Sequence, residues 1–222
     1  MVKSVILLSG GLDSLVSLGL KKEELNIVHA LTFDYGQKSV KKEIEASENI
    51  CRYYNIKLDV IKLDWLKYIT KTSLVSSDDI PTGSELSDAE ASAKSVWVPN
   101  RNGLFLNIAA SFADSFGYDY IIIGANKEEA QTFSDNTTEF VNAVNKEFVY
   151  STQKHSKVVA PLINYVKNDI VMLALKNNIP LDLTMSCYQG GKGHCGICES
   201  CTRLKKALEA NHDTKYIKVL FK

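Results

Sequence analysis

Val5-Ile6-Leu7-Leu8-Ser9-Gly10-Gly11-Leu12-Asp13-Ser14-Leu15-Val16-Ser17-Leu18 sets an apolar run, two adjacent glycines and the first turns of a helix in direct succession. Val5–Leu8 has the length and composition of a buried strand, and Leu12, Leu15, Val16 and Gly19 recur with a period near 3.6. The glycine pair lets the backbone curl, so successive N–H groups face one concavity at the start of the helix. Such a nest draws phosphate through its donors and through the positive end of the helix dipole. Ser9 and Ser14 add hydroxyl donors. A plain glycine turn between strand and helix would look similar, and Asp13 argues against it. An acid inside an anion-seeking nest is costly unless a cation or a hydroxyl network uses it, so the loop reads as a seat for a nucleotide with its metal. A Walker loop is excluded, because no lysine followed by Ser or Thr closes the motif, and the glycine spacing is not that of a dinucleotide fingerprint.

Ser9–Ser14 resembles the signature loop of the ATP pyrophosphatase (PP-loop) superfamily. That resemblance implies activation of a carboxyl or carbonyl oxygen by adenylation, with release of pyrophosphate.

Cys187, Cys195, Cys198 and Cys201 form Cys-x7-Cys-x2-Cys-x2-Cys, with Gly190, Gly191, Gly193 and Gly196 loosening the backbone among them. The chain shows no signal peptide, so a cytoplasmic setting is expected, where thiols stay reduced and clustered cysteines argue for metal. Four thiolates saturate a tetrahedral zinc ion and make the site structural, one ion per chain. An iron–sulfur cluster is the rival, since Cys-x2-Cys-x2-Cys also occurs in ferredoxins. The ferredoxin Cys-Pro is missing here and the fourth ligand lies upstream. His194 reads as a neighbour of the cluster and Cys51, inside a helical pattern, as a buried structural thiol.

Twenty-six basic and twenty-six acidic residues leave no global field to attract nucleic acid or a membrane surface, and no apolar stretch approaches a membrane span. The 222 residues fit one domain, 1–222. Val2–Leu8, Asn26–Phe33, Lys57–Lys62, Tyr120–Gly124 and Lys157–Ala160 read as strands. Asp13–Leu20, Val40–Tyr54, Asn102–Phe116, Thr137–Tyr150 and Asn168–Lys176 read as helices, with Cys198–Asn211 as the last. The alternation predicts a doubly wound, mainly parallel α/β sheet covered on both faces, followed by a metal-bound helical segment. Thr70–Val98 breaks the rhythm and is expected to form a lid-like connection with at most a short helix near Ser87–Lys94.

Several residues then converge on the predicted strand ends. Phe33, Tyr35 and Gln37 follow the second strand, Arg101 precedes the third long helix, Gly124 follows the fourth strand, and Lys167 opens a helix. Lysine at a helix N-terminus works against the dipole, which marks it as a residue with another task.

Taken together, Ser9–Ser14, Thr32–Gln37, Val98–Asn102, Ala160-Pro161-Leu162 with Lys167, Leu183–Tyr188 and Cys195–Cys201 resemble the QueC family of PP-loop enzymes over most of the chain. The resemblance implies conversion of 7-carboxy-7-deazaguanine, ammonia and ATP into a nitrile through adenylated acid and amide. That nitrile is a precursor of queuosine or archaeosine. It further implies ATP contacts from Leu8, Ser9, Gly10, Gly11, Leu12, Asp13, Ser14, Phe33, Tyr35, Gln37 and Gly124, with Mg2+ accompanying ATP. Asp13, Arg101 and Lys167 are the implied catalytic set, and a homodimer without stable nucleic-acid or membrane partners the implied assembly. One stretch departs: Gln131–Thr138 stands where Tyr-Pro-Asp-Cys-Arg-Pro is usual in bacterial members, and Ser134 replaces the proline of the archaeal form. Another adenylating PP-loop ligase or a tRNA-thiolating enzyme would share the first loop, as would a non-catalytic nucleotide-binding zinc module. The neutral charge opposes thiolation of tRNA, and the charged residues at strand ends oppose a module without turnover.

Overall fold

A computed structural model of the chain describes residues 2–76, 80, 82 and 95–221. The first strand, β1 (Ser4–Leu7), is completely buried and central. It pairs in parallel with β2 (Ile27–Asp34) on one side and with β4 (Tyr120–Ile122) on the other. β3 (Lys57–Lys62) and β5 (Lys157–Val159) extend the two flanks, also in parallel, giving the order β3-β2-β1-β4-β5. The chain therefore winds outward from β1 to β3, then crosses back to build β4 and β5. At that reversal of strand order, between β1 and β4, a ligand crevice is expected at the carboxyl ends of the strands.

The period-two alternation of β1 sorts two helical layers. Val5 and Leu7, with Leu31, Phe33 and Ile121, pack against α4 (Arg101–Phe116) and α6 (Thr138–Ser151). Ile6 and Leu8, with Ala30 and Ile122, pack against α1 (Leu12–Lys21), α2 (Val40–Tyr54), α7 (Lys167–Lys176) and α8 (Glu199–Ala210). Each fully buried Leu or Ile in these layers contributes on the order of 2 kcal/mol. Leu106, Ala109, Ala110 and Ala113 form the buried stripe of α4, and three alanines there let its backbone lie close to the sheet. Its end is set by Gly117 at φ 71°, whose N–H caps Ala113. The shorter α3 (Asp64–Ile69) and α5 (Lys127–Ala130) lie beyond the carboxyl ends of β3 and β4.

Two expectations need correction, and a third is untested. β3 is not covered on both faces: as an edge strand it is half exposed along its length, and its polar-apolar alternation fits that position. Cys198–Asn211 is not the last helix, because α9 (Thr214–Leu220) follows it, started by Asp213, whose carboxylate accepts from the Tyr216 N–H at 2.6 Å. Leu220 and Ile217 of α9 then join the α1–α8 layer. The helix expected near Ser87–Lys94 lies outside the described residues. Of the 70–98 segment, Leu74, Ile80, Val96 and Val98 are buried against the rest of the protein.

Gly10 is the tightest point of the β1–α1 turn. Its φ is +75°, and a Cβ there would stand 2.8 Å from the Glu43 carbonyl and 2.9 Å from the Ala46 Cβ. Gly10→Ala combines a left-handed backbone with overpacking and should cost roughly 2–4 kcal/mol. For a chain of this length that is a fall in Tm on the order of 10 °C. Gly191→Ala, whose methyl would meet only the Gly193 carbonyl at 4.0 Å, should leave the thermal transition where it is.

Candidate active site

The turn after β1 is held from three directions. Ser14 Oγ donates to the Gly11 carbonyl at 3.1 Å and accepts from the Ser9 N–H at 3.3 Å. The Gly10 carbonyl accepts from the Met185 N–H at 2.8 Å and from Thr184 Oγ1 at 3.2 Å. On the β4 side, a Cβ at Gly124 would lie 2.9 Å from the Ser14 nitrogen, so Gly124 is what allows the two strand exits to meet. Two N–H groups at the start of α1 donate to hydroxyls: Gly11 to Ser9 Oγ and Leu12 to Ser186 Oγ, each at 3.3 Å. Hydroxyl oxygens are weaker acceptors than phosphate oxygens, so both donors are placed where an anion would bind more strongly.

Lys167, the lysine at the start of α7, crosses the mouth of this nest. Its ammonium forms ion pairs with Asp13 and with Glu129, the latter at 3.1 Å. Two carboxylates outweigh the unfavourable helix dipole, which explains a cation at this terminus. Burial opposes the charge on Lys167, but Asp13 and Glu129 together hold its pKa well above the ordinary value. Burial likewise opposes the charge of Glu129, and Lys167 overcomes it and keeps that carboxyl below its usual range. At Asp13 burial dominates and raises the pKa. Asp13 Oδ1 is buried and, among the described residues, has no hydrogen-bond partner. One ammonium between two acids leaves a net negative charge beside an orphaned carboxylate oxygen, and this fits a divalent cation.

Ser9, Asp13, Ser14, Gly124, Lys167 and Arg101 all line one cavity of about 250 Å³ at the carboxyl ends of β1, β2 and β4. Arg101, the first residue of α4, hydrogen-bonds Tyr35, and although burial opposes its charge, Tyr35 and Asp135 hold its pKa above normal. Phe33 stacks on Phe105 with ring centres 3.9 Å apart, and Tyr35 leans on the same ring at 5.8 Å. A second aromatic pair, Trp97 and Phe133, lies at 5.9 Å on the same cavity. Gln37 also borders the cavity, yet its amide is committed within the protein. Its Nε2 donates to the Phe33 carbonyl at 3.0 Å and to Glu43 at 2.8 Å, while its Oε1 accepts from the Tyr35 N–H at 3.1 Å. It shapes the loop from inside.

Sequence reading missed Glu43, Glu129, Asp135, Trp97, Phe133 and Ser186 as wall residues of this cavity. Glu129 had a signal, the paired acids Glu128 and Glu129 in the polar stretch that follows the fourth strand. Trp97 and Phe133 had none, because they meet only through tertiary structure.

The four cysteine sulfurs lie within 4.8 Å of one another. A tetrahedral ion with metal–sulfur bonds of about 2.3 Å needs sulfurs about 3.8 Å apart, so the set fits a metal such as zinc with small adjustment. The Cys198 N–H donates to Cys195 Sγ at 3.3 Å, support of the kind that orients thiolate ligands. His194 is not among the converging ligands; its Nε2 accepts from the Ser186 N–H at 3.1 Å. Thr184, Met185 and Ser186, which grip the turn after β1, run directly into Cys187. Cys51 is buried, with its thiol pushed up to about 12, an inert core residue.

A 4-thiouridine synthetase crystallised with RNA and bound ATP superposes with a TM-score of 0.51 at 19% identity, covering 95% of this chain and 50% of that one. The two chains share a fold. The profile of the family described as "Queuosine biosynthesis protein QueC" matches residues 3–212. The chain belongs to that family. Among its relatives, a 7-cyano-7-deazaguanine synthase of Carboxydothermus hydrogenoformans is 54% identical over 95% of this chain and 100% of its own length. One of Methanosarcina mazei, with the same description, is 49% identical over 94% of each chain. No described helix is long and apolar enough to cross a membrane.

Metal at the four cysteines should be measurable as one equivalent of divalent ion per chain by elemental analysis. Cys198→Ser removes a completely buried ligand and should give metal-poor protein with a Tm lowered by 10 °C or more, since structural zinc contributes on the order of 10 kcal/mol to folding in small metal modules. Iron in the native protein, with visible charge-transfer absorption, is the contrary result.

Proposed function

We propose that this chain is an ATP-dependent synthase that converts 7-carboxy-7-deazaguanine and ammonia into 7-cyano-7-deazaguanine. The observation that carries the reading is one cavity in which the Ser9–Ser14 nest, Lys167 and Arg101 converge. Its support from outside the structure is that relatives sharing 54% and 49% identity bear the name of that activity.

The chemistry sets what the site must do. Making a nitrile from a carboxylate removes both oxygens, and neither leaves readily as hydroxide or oxide. The acid attacks the α-phosphorus of ATP, pyrophosphate departs, and the first oxygen becomes part of AMP. Ammonia displaces AMP and gives the primary amide. The amide oxygen then attacks the α-phosphorus of a second ATP and expels pyrophosphate, and the nitrogen gives up both its protons as AMP carries the oxygen away, leaving the nitrile. Each oxygen thus departs on an AMP.

In this scheme the Gly11 and Leu12 N–H groups take phosphate oxygens from the serine hydroxyls they now meet. Lys167 and Arg101 are fixed cations aimed where charge develops on phosphorus and on departing pyrophosphate. Asp13 Oδ1 is the protein oxygen suited to Mg2+, which would neutralise phosphate charge when bound with ATP. Phe33, Tyr35 and Phe105 supply the apolar wall for adenine beside β2. The cysteine cluster would hold zinc in a structural role, and Thr184–Ser186 link it to the nest. Leu74, Val96, Trp97 and Val98 close one side of the cavity, which supports the covering role expected for segment 70–98. A single domain over 1–222 and a cytoplasmic setting, both expected from the sequence, belong to the same proposal, as do the homodimer and the use of the product for archaeosine, which rest on the family resemblance.

Asp13→Asn keeps the shape of the side chain and leaves Lys167 paired with Glu129. Pyrophosphate release in the presence of ATP and the deazaguanine acid should fall at least a hundredfold, with the melting temperature nearly unchanged; turnover at the native rate would remove Asp13 from the mechanism.

Ammonium salts alone should support full turnover, with two ATP converted to AMP and pyrophosphate per nitrile. Supplying the synthetic amide should give nitrile at one ATP per product and without ammonia. Release of ADP and phosphate, or indifference to the amide, would defeat the two-adenylation scheme.

A further inference from the structure

Among the described residues five side-chain carboxylates border the cavity, and four are ion-paired or doubly hydrogen-bonded to protein partners. Asp13 and Glu129 share Lys167. Glu43 accepts from Ser39 Oγ and Gln37 Nε2, and Glu199 is paired with Arg203. Asp135 differs. Its Oδ1 accepts from the Asn136 amide at 3.1 Å, and among the described residues no cation lies within ion-pair distance of it. Arg101 acts on Asp135 only through its field. The carboxylate is half-buried, so it bears a desolvation cost that a single amide donor offsets in part.

The residue is also held still. It sits in a 3-10 turn, Ser134–Asn136, and the Asn102 side chain of α4 donates to the Asp135 carbonyl at 3.3 Å. Thr137, which caps α6, donates its hydroxyl to the Ser134 carbonyl at 2.8 Å. The turn is therefore braced against two helices. Immediately before it stands Phe133, stacked with Trp97 to make a flat wall. A fixed acceptor with open lone pairs beside an aromatic wall fits a planar heterocycle that presents two adjacent N–H donors from its edge.

A 7-substituted deazaguanine presents such an edge. Its ring N–H and 2-amino group lie side by side, across the ring from the 7-carboxyl that must face the nucleotide. We propose that Asp135 is the specificity-determining residue for the aminopyrimidinone edge of the substrate, with the ring lying against Trp97 and Phe133. This rests on the function proposed above and adds to it the group that tells a 2-aminopyrimidinone from a ring lacking the amine. A site built to hydrogen-bond a substrate N–H rejects analogues without it far more strongly than a hydrophobic pocket rejects a missing methylene.

The test compares wild type and Asp135→Asn with two substrates, 7-carboxy-7-deazaguanine and its analogue without the 2-amino group. Pyrophosphate release is the readout, and KM is measured separately for acid and for ATP. Wild type should prefer the amino-bearing acid. In Asp135→Asn the acid KM should rise about 10- to 100-fold, the range for a charge-assisted hydrogen bond, while the ATP KM stays within twofold. Discrimination against the analogue should shrink correspondingly. The wild-type comparison needs no variant, so a misfolded Asp135→Asn does not protect the idea. A wild type indifferent to the 2-amino group overturns it, as does an ATP KM that rises in place of the acid KM, which would put Asp135 on the ribose hydroxyls. A wild type inert toward both acids fails the functional reading itself, and this inference with it.

Discussion

The contact on which the rest of this structure depends is the close approach of backbones around the turn after β1. Gly10 lies under the start of α2, Gly124 lets the exit of β4 touch Ser14, and the Gly10 carbonyl is held by Thr184 and Met185. Side chains at the two glycines would separate these strands and helices by their own thickness. That turn is therefore built less by its own sequence than by three remote segments that close on it. Each arrives from a different part of the chain, and the last is continuous with the cysteine cluster. A tetrahedral metal in that cluster would fix the position of Cys187 and, through Ser186, the Leu12 N–H at the start of α1.

Much of the fold was legible because the signals were local. A fully apolar strand, adjacent glycines and a 3.6-period helix need no tertiary information, and the alternation that follows specifies parallel strands with helices between them. β3 was misread as covered because its apolar residues were weighed without their order. Lys57-Leu58-Asp59-Val60-Ile61-Lys62 carries charge at three of six positions, which is the pattern of an edge. The helix α9 was missed because it is short and its cap, Asp213, follows so soon after α8 that the two read as one element running out.

The site was legible to a different degree. Lys167 stood out because it defied the helix dipole, yet its partners are 154 and 38 residues away and no spacing rule finds them. Gln37 and Asp135 show the opposite difficulty. Both are polar residues in loops at strand ends, and sequence treats them alike. The folded chain spends every donor and acceptor of the Gln37 amide on Phe33, Tyr35 and Glu43, and leaves Asp135 with an acceptor to offer. What separates a loop-shaping residue from a ligand-facing one is the balance of hydrogen bonds, and that balance exists only in three dimensions.

The half-exposed strand β3 also limits how copies of this protein can aggregate. An unpaired strand invites another chain to extend the sheet, and such growth, once begun, has no natural end. Lys57, Asp59 and Lys62 stand along β3, and Asp59 is already bonded to Lys57 and to the buried His29. An incoming strand would have to desolvate those charges and dislodge that network before gaining its first ladder bonds. The β3 edge is thus guarded against open-ended polymerisation.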